Sequence, residues 1–258
     1  MRPKLIDTHA HLDMSHYDDD REKVIERARK KSTGFINMGL DLPSSKKSVE
    51  LAKNYDNVYA GIGFHPHEAR KFTTSTLDEL RELSEHEGVK AIGEIGLDYY
   101  RDNSPRRKQR KALVAQLELA CELELPVSVH NRDSTEDLLR ILKNQAEVPS
   151  GVVHSFFGDY DLGKKFIELG LHLGLSGPVT FDGNDRLGET VKKLPLERLV
   201  LETDSPFLTP APNRGKRNEP GYAEFVAKKL AQLKDIPLEE VLERTTRNAG
   251  RLFDLNER

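Results

Sequence analysis

The chain has 258 residues, of which 36% are hydrophobic and 32% charged, and its formal net charge is −3. This balance excludes a disordered chain, and the small negative charge means that a nucleic-acid substrate would need a local basic patch. The N-terminus lacks the apolar run of a signal peptide, and no segment approaches the roughly 20 apolar residues that cross a bilayer, which predicts a cytoplasmic protein without a membrane partner.

Short β-branched apolar runs alternate along the chain with longer amphipathic stretches, the pattern of βα units around a parallel sheet. Eight even units without a long break favour a (β/α)8 TIM barrel, formed as a single domain by residues 1–258, over an open doubly wound sheet. A helix is expected after each strand. The predicted strands are Lys4–Thr8, Gly34–Gly39, Val58–Phe64, Lys90–Ile95, Val127–His130, Gly151–His154, His172–Leu175 and Leu199–Thr203.

Two helical segments carry clear local signals. Ser104 followed by Pro105 predicts the N-cap and first position of a helix that runs to Glu124. Cys121, the single cysteine, falls in this helix, has no disulfide partner and is expected to pack in the core. The segment from Pro237 to Leu255 predicts an additional C-terminal helix beyond the eighth unit.

Ligand-type side chains are concentrated at the ends of the predicted strands, where a barrel enzyme places its reactive groups. His9 and His11 are two residues apart on the first strand, so that both side chains point to one face, the barrel mouth. A lone histidine at a strand end is more often a structural residue, but this many buried ionisable groups would cost several kcal/mol each without a metal. The predicted metal ligands are His9, His11, Glu94, His130, His154 and Asp204.

Four imidazoles and two carboxylates are too many for one tetrahedral site, so the sequence predicts two divalent ions that share a carboxylate, with Mg, Mn, Zn or Ni as candidates. His65, within Gly-Phe-His-Pro-His, is expected to contact the substrate, with a structural role as the alternative. Glu202 has the same strand parity as Asp204, points inward and is expected to orient a ligand. The remaining histidines are interpreted as structural, solvated or packing residues: His16, His67, His86 and His172.

Short motifs, in order along nearly the whole chain, resemble those of TatD-type deoxyribonucleases within the metal-dependent amidohydrolase superfamily. GEIGLDYYR at 93–101 is the most specific, because Glu94 stands where related amidohydrolases often carry a carboxylated lysine. The other motifs are IDTHAHLD at 6–13, GFHPH at 63–67, PVSVHNR at 126–132, GVVHSF at 151–156, LETDSPFL at 201–208, RNEP at 217–220 and TTRNAGRLF at 245–253.

This resemblance implies metal-dependent phosphodiester hydrolysis, as a DNase or 3′–5′ exonuclease acting on single-stranded DNA or a DNA 3′ end. It also implies how the ligands divide: one ion is surrounded by His9, His11, Glu94 and Asp204, and the other by Glu94, His130 and His154. In the mechanism that we expect, the two ions activate a bridging water, Asp204 accepts its proton, Glu94 is shared, and His65 hydrogen-bonds the phosphate or the leaving group.

Two basic loops on the mouth side could bind a polyanion, although a solvated charged face is the alternative for the first. That loop contains Arg101, Arg106, Arg107, Lys108, Arg110 and Lys111, and the second, at 213–218, contains Arg214, Lys216 and Arg217. We expect substrate contacts from Arg101, Arg214, Lys216 and Arg217.

The sequence leaves two competing functions open. The first is an amidohydrolase that acts on a small amide, lactone or phosphotriester, because the same metal site serves those reactions. A narrow apolar cavity would favour it, whereas an open groove flanked by arginines would favour a nucleic-acid end. The second is a metal-binding or interaction protein without enzymatic activity, which a full ligand set disfavours.

Overall fold

The computed structural model describes residues 4–31 and 33–255. Its eight parallel strands form one sheet in which each strand pairs with the next in sequence. The strands are β1 (Leu5–Ala10), β2 (Thr33–Met38), β3 (Val58–Ile62), β4 (Val89–Asp98), β5 (Val127–Arg132), β6 (Gly151–Val153), β7 (His172–Leu175) and β8 (Leu199–Leu201).

Main-chain hydrogen bonds join β1 to the segment after β8 and close the sheet into the predicted TIM barrel. Asp204 N donates to His9 O at 2.9 Å, and His11 N donates to Ser205 O at 2.8 Å. Ala10 and Ser205 form a parallel bridge between these two bonds. Three of the predicted ligands therefore carry the bonds that close the barrel, so that closure and assembly of the site depend on the same contacts.

A helix follows each strand, and the predicted additional C-terminal helix is confirmed as α9. No helix of residues 4–31 and 33–255 is long and apolar enough to cross a membrane. The helices are α1 (Arg21–Lys30), α2 (Leu42–Asn54), α3 (Thr74–Ser84), α4 (Arg106–Glu122), α5 (Thr135–Lys143), α6 (Tyr160–Glu168), α7 (Asp185–Lys193), α8 (Ala223–Lys234) and α9 (Leu238–Leu252).

Alternate strand positions supply two apolar layers. One set packs against the surrounding helices in a large cluster that includes Leu199 and Leu201 of β8. The other set, represented by Ile6, Ile36 and Val200, packs with Ala249 and Phe253 of the C-terminal segment. Because strands of a parallel sheet are covered on both faces, they read as nearly continuous apolar runs, and the polar exceptions mark the functional end.

The predicted strands are all present, but several boundaries differ by a few residues. β6 ends at Val153 and β8 at Leu201, so His154 and Asp204 lie in the loops that follow. The N-cap prediction for Ser104 is wrong: α4 begins at Arg106, and the Ser104 hydroxyl donates instead to His67 O at 2.7 Å. Cys121 is half-buried rather than in the core, because it lies on a partly exposed face of α4.

Candidate metal centre

The first group of donor atoms lies between the end of β1 and the loop after β8. The Nε2 atoms of His9 and His11 are 3.2 Å apart, and Glu94 Oε2 lies 3.3 Å from the first and 3.5 Å from the second. Asp204 Oδ1 is 3.5 Å from His11 Nε2. Asp204 adopts a left-handed backbone with φ of 57°, a conformation that aspartate tolerates better than most residues.

The second group surrounds the other oxygen of the same carboxylate. Glu94 Oε1 is 2.7 Å from His130 Nδ1 and 3.0 Å from His154 Nε2. The two imidazole nitrogens are 3.3 Å from one another. Gly96 makes this approach possible, because a Cβ on it would lie 2.1 Å from the carbonyl oxygen of His130 on the neighbouring strand. The two oxygens of Glu94 thus face different imidazoles.

Contacts on the far side of three of the rings, His9, His11 and His130, decide which nitrogen faces the centre. His11 Nδ1 donates to the Met38 carbonyl at 2.8 Å, so Nε2 is the nitrogen that faces the centre. His9 Nδ1 lies 3.0 Å from Ser128 Oγ. His130 presents the opposite nitrogen, since its Nε2 lies 3.3 Å from Asp98 Oδ2. This arrangement, with one nitrogen held by the protein, is typical of histidines that bind metals.

His65 also lies at the centre, with Nε2 3.4 Å from Glu94 Oε1, but its hydrogen bonding differs. His65 Nδ1 accepts from the backbone N–H of His67 at 3.2 Å. Burial lowers the pKa of His65 to about 4, so that the ring is neutral near pH 7. A neutral ring that accepts at Nδ1 carries its proton on Nε2, which makes His65 a hydrogen-bond donor to the centre rather than a ligand.

The charges of the cluster favour ionised carboxylates. Burial raises the pKa of Glu94, but the histidines around it, His65 foremost, hold the pKa well below its usual value. Burial likewise opposes ionisation of Asp204, and a hydrogen bond from His11 lowers its pKa. His154 responds in the opposite sense: burial lowers its pKa, while Glu94 and then Glu202 raise it well above the ordinary value.

The donor set fits divalent cations. Carboxylate oxygens and unprotonated imidazole nitrogens are the ligands of Zn, Mn and similar ions, and ligands at such sites must be deprotonated. Three groups of these side chains bring their donor atoms close enough to hold a metal ion: His9 with His11 and Asp204, His65 with Glu94 and His130, and His9 with His154 and Glu202. The tautomer of His65 makes the second group the least complete.

Sequence reasoning missed Asp98, which is buried at the end of β4. Its Oδ2 atom lies 2.8 Å from His67 Nε2 and 3.3 Å from His130 Nε2, while Oδ1 accepts from the backbone N–H of Tyr100 and Arg101 at 3.0 and 2.8 Å. The signal was present, because Asp98 is four residues from Glu94 and the side chains of a strand repeat every two residues.

Asp7 is a second buried carboxylate that sequence reasoning missed. It accepts from the Thr203 hydroxyl at 2.6 Å, from Thr203 N at 2.9 Å and from His9 N at 3.2 Å. Burial raises the pKa of Asp7 well above its usual value, and these hydrogen bonds oppose the shift. Asp7 therefore ties β1 to the segment after β8 directly beneath the predicted ligands.

Glu202, which the sequence predicts to orient a ligand, is fully buried and lies next to His154 and Ser155. Its Oε1 atom lies 3.6 Å from His154 Nδ1 and accepts a short hydrogen bond from Ser155 N. Its Oε2 atom has no hydrogen-bond partner among the described residues. Gly174 leaves room for this side chain, because a Cβ there would lie 2.2 Å from Oε2.

The four basic residues expected at the substrate have different surroundings. The guanidinium of Arg214 lies 4.2 Å from the Phe181 ring centroid, and that of Arg101 lies 5.6 Å from the Tyr100 centroid. Arg101, Arg214 and Lys216 are exposed, and none has a carboxylate at ion-pair distance within the described ranges. Arg217 instead makes two bonds of 2.8 Å to Asp20, so its charge is neutralised within the protein.

A TIM barrel with imidazoles and carboxylates gathered at its mouth defines the class of metal-dependent hydrolases, and the relatives of the chain carry that description. A Bacillus subtilis (strain 168) protein named uncharacterized metal-dependent hydrolase YabD is 46% identical over 254 residues, covering 98% of this chain and 100% of that protein. The chain belongs to the family described as TatD related DNase, whose profile matches residues 6–254.

Two further relatives are a TatD homologue of known structure and a protein named as an exonuclease. The crystal structure of YjjV, a TatD homologue from Escherichia coli K12, superposes with a TM-score of 0.92 at 31% identity, covering 99% of this chain and 100% of that one. A Rahnella sp. (strain Y9602) protein named 3′-5′ ssDNA/RNA exonuclease TatD is 36% identical over 257 residues, with 96% and 97% of the two chains covered. The sequence-based family resemblance is thereby confirmed.

Proposed function

We propose that the protein is a nuclease that hydrolyses phosphodiester bonds at the 3′ end of single-stranded DNA with two divalent metal ions. The position of Glu94 carries this proposal, because its Oε2 atom faces His9 and His11 while its Oε1 atom faces His130 and His154, at 2.7 to 3.5 Å. A carboxylate that faces two donor groups is suited to bridge two ions. The proposed ligands are His9, His11 and Asp204 on the Oε2 side and His130 and His154 on the Oε1 side.

Bound divalent ions would supply positive charge at the scissile phosphate and a water of lowered pKa. Asp204 contacts His11 through Oδ1, which leaves Oδ2 to accept the proton of the attacking water. His65 Nε2–H donates toward the same space and would stabilise a non-bridging phosphate oxygen or the leaving group. Because the low pKa of His65 keeps the ring neutral, it acts by hydrogen bonding rather than by charge.

Two observations support a polyanionic substrate over a small neutral one. The Rahnella relative is named as an exonuclease of single-stranded DNA and RNA. In this chain, the exposed cations Arg101, Arg214 and Lys216 follow the carboxyl ends of β4 and β8, the end of the barrel that carries the centre. Unpaired cations at this position favour phosphate contacts. The amidohydrolase alternative predicts no use for them.

The direct test is hydrolysis of a labelled single-stranded oligonucleotide by metal-stripped protein resupplied with Mg, Mn or Zn. We expect stepwise shortening from the 3′ end with at least one ion, and Asp204→Asn should reduce turnover by roughly 10²- to 10⁴-fold with the fold intact. A 3′-blocked oligonucleotide is the matched substrate control. No product with any ion would favour the small amide, lactone or phosphotriester substrates, and full turnover by Asp204→Asn would remove its assigned role.

The basic loop at 213–218 permits a second test with an internal control. Each phosphate contact to single-stranded DNA contributes a slope of about −0.7 to the dependence of log affinity on log salt. Replacing Arg214 and Lys216 by Ala should therefore make the slope shallower by about 1.4 in total. Arg217→Ala is the control, because Asp20 already neutralises that guanidinium. An unchanged slope in the double variant would count against phosphate contact by this loop.

A further inference from the structure

Large hydrophobic side chains that remain exposed are confined to one end of the barrel in the described part of the chain. They are Tyr100 at 59% exposure, Phe157 at 68%, Tyr160 at 37% and Phe207 at 44%, and all of them are aromatic. Each follows the carboxyl end of β4, β6 or β8, the end that carries the candidate metal centre. The other described Phe and Tyr side chains are buried or half-buried.

The backbone that carries the three most exposed rings lies close to residues of the candidate metal centre. Tyr100 N donates to Asp98 Oδ1 at 3.0 Å, and the other oxygen of Asp98 lies 3.3 Å from His130. Phe207 N donates to the Asp204 carbonyl at 2.8 Å. Phe157 is three residues beyond His154. The three rings therefore lie near the path of a polymer whose scissile bond is at the centre.

Unpaired cations accompany the ring of Tyr100. The guanidinium groups of Arg132 and Arg101 lie 4.1 and 5.6 Å from its centroid. Within residues 4–31 and 33–255, neither arginine has a carboxylate at ion-pair distance, and both are exposed. The Arg132 guanidinium lies over the ring of Tyr100, which is still 59% exposed. This pair matches a nucleotide, whose base stacks on the ring or on the guanidinium while its phosphate meets a cation. An uncharged apolar partner would leave these cations without a counterpart.

We propose that Tyr100, Phe157 and Phe207 form a base-stacking rim that holds unpaired bases while the scissile phosphodiester lies at the metal centre. The inference rests on the proposed function and adds the side chains that select single strands. Stacking accepts every base because each has a π face, whereas the bases of a duplex are already stacked within it. The rim therefore provides a sequence-tolerant preference for unpaired substrate.

The test compares two oligonucleotides of equal length and charge. One carries normal bases, and the other carries abasic tetrahydrofuran units in place of the nucleotides next to the cleaved end. For Phe157→Ala, we expect KM for the base-containing strand to rise about 5- to 150-fold, the range for loss of one stacked base, with a much smaller change for the abasic strand. Phe157→Trp should restore the KM, whereas Phe157→Leu, which keeps apolar bulk without a π face, should not. Tyr100→Ala and Phe207→Ala should show the same selectivity.

The outcomes separate the two claims. If the unaltered enzyme cleaves neither oligonucleotide with any ion, the proposed function is overturned and this inference falls with it. If the unaltered enzyme cleaves the base-containing strand normally, the nuclease function stands. The rim is then overturned if the alanine variants raise KM equally for both strands, or for neither. If Phe157→Leu kept the KM of the unaltered enzyme as Phe157→Trp does, general apolar contact and not stacking would explain the effect. This result would also overturn the inference.

Discussion

The two halves of the candidate metal centre contain similar side chains but are supported differently. On the Oε2 side of Glu94, the outer nitrogens of His9 and His11 face uncharged groups, the Ser128 hydroxyl at 3.0 Å and the Met38 carbonyl at 2.8 Å. On the Oε1 side, the outer nitrogens of His130 and His154 face the buried carboxylates of Asp98 at 3.3 Å and Glu202 at 3.6 Å.

If the centre holds the two ions that we propose, this difference would tune the two positions separately. A carboxylate behind an imidazole raises its basicity and strengthens it as a donor, whereas a hydroxyl or carbonyl mainly fixes its orientation. Among the proposed ligands, the side with carboxylate support has only Glu94 as an acidic group, while the other side also has Asp204. We expect the outer carboxylates to compensate for the smaller ligand charge on the Oε1 side.

Glu94→Gln should have the largest effect, because it alone belongs to both halves. The amide keeps one acceptor oxygen and loses the charge, so both sides lose donor strength. Removing a group that hydrogen-bonds a metal ligand typically costs up to roughly 100-fold in affinity or activity. We expect Glu94→Gln to lower kcat/KM by more than this and to reduce the metal content measured by mass spectrometry. A variant that retained two equivalents of metal and its full rate would break the comparison, because the halves would not share a carboxylate.

Asp98→Asn should come next and should affect one half only. Asparagine keeps the oxygen that accepts from the backbone N–H of Tyr100 and Arg101, and it loses the charge behind His130. We expect one of two binding steps in a competition titration with a zinc indicator to weaken by roughly 10- to 100-fold. The thermal melt of the chelated protein checks that the fold is unchanged. Equal weakening of both steps would contradict separate support.

Glu202→Gln should act on the same half with a smaller effect. The His154 contact of 3.6 Å is longer than a hydrogen bond, and glutamine still accepts from the Ser155 amide. We expect a loss near the lower end of the outer-partner range, about 10-fold in the same binding step. The double variant with Asp98→Asn sharpens the comparison, since both losses should fall on that one step and leave the other in place.

Ser128→Ala should have the smallest effect, below about 10-fold, because it removes only an uncharged partner of His9. The titration used for Asp98→Asn measures it, with the other binding step as an internal reference. If Ser128→Ala weakened metal binding as strongly as Asp98→Asn does, the charge of the outer partner would not matter and the distinction between the halves would fail.

Much of this protein could be predicted from its residues alone. The alternation of apolar runs with amphipathic stretches predicted the eight strands, their helices and the additional α9, because burial of both faces of a parallel sheet imposes that pattern. The reactive groups of a barrel stand at the carboxyl ends of its strands, so the sequence could predict which side chains meet at the candidate centre. They are His9, His11, Glu94, His130, His154 and Asp204. The family resemblance then grouped them.

Only the tertiary structure decided which nitrogen of each ring faces the centre and which charged side chains are paired. The far-side contacts make His65 a donor and decide which nitrogen of His11 and of His130 faces the centre. These contacts come from Met38, Asp98 and the His67 backbone, which lie on different segments. The same holds for Arg217, whose charge is paired with Asp20 across 197 positions of sequence. Local sequence specifies which strand a residue joins. Tautomers, ion pairs and exposed rings depend on neighbours brought together when the barrel closes.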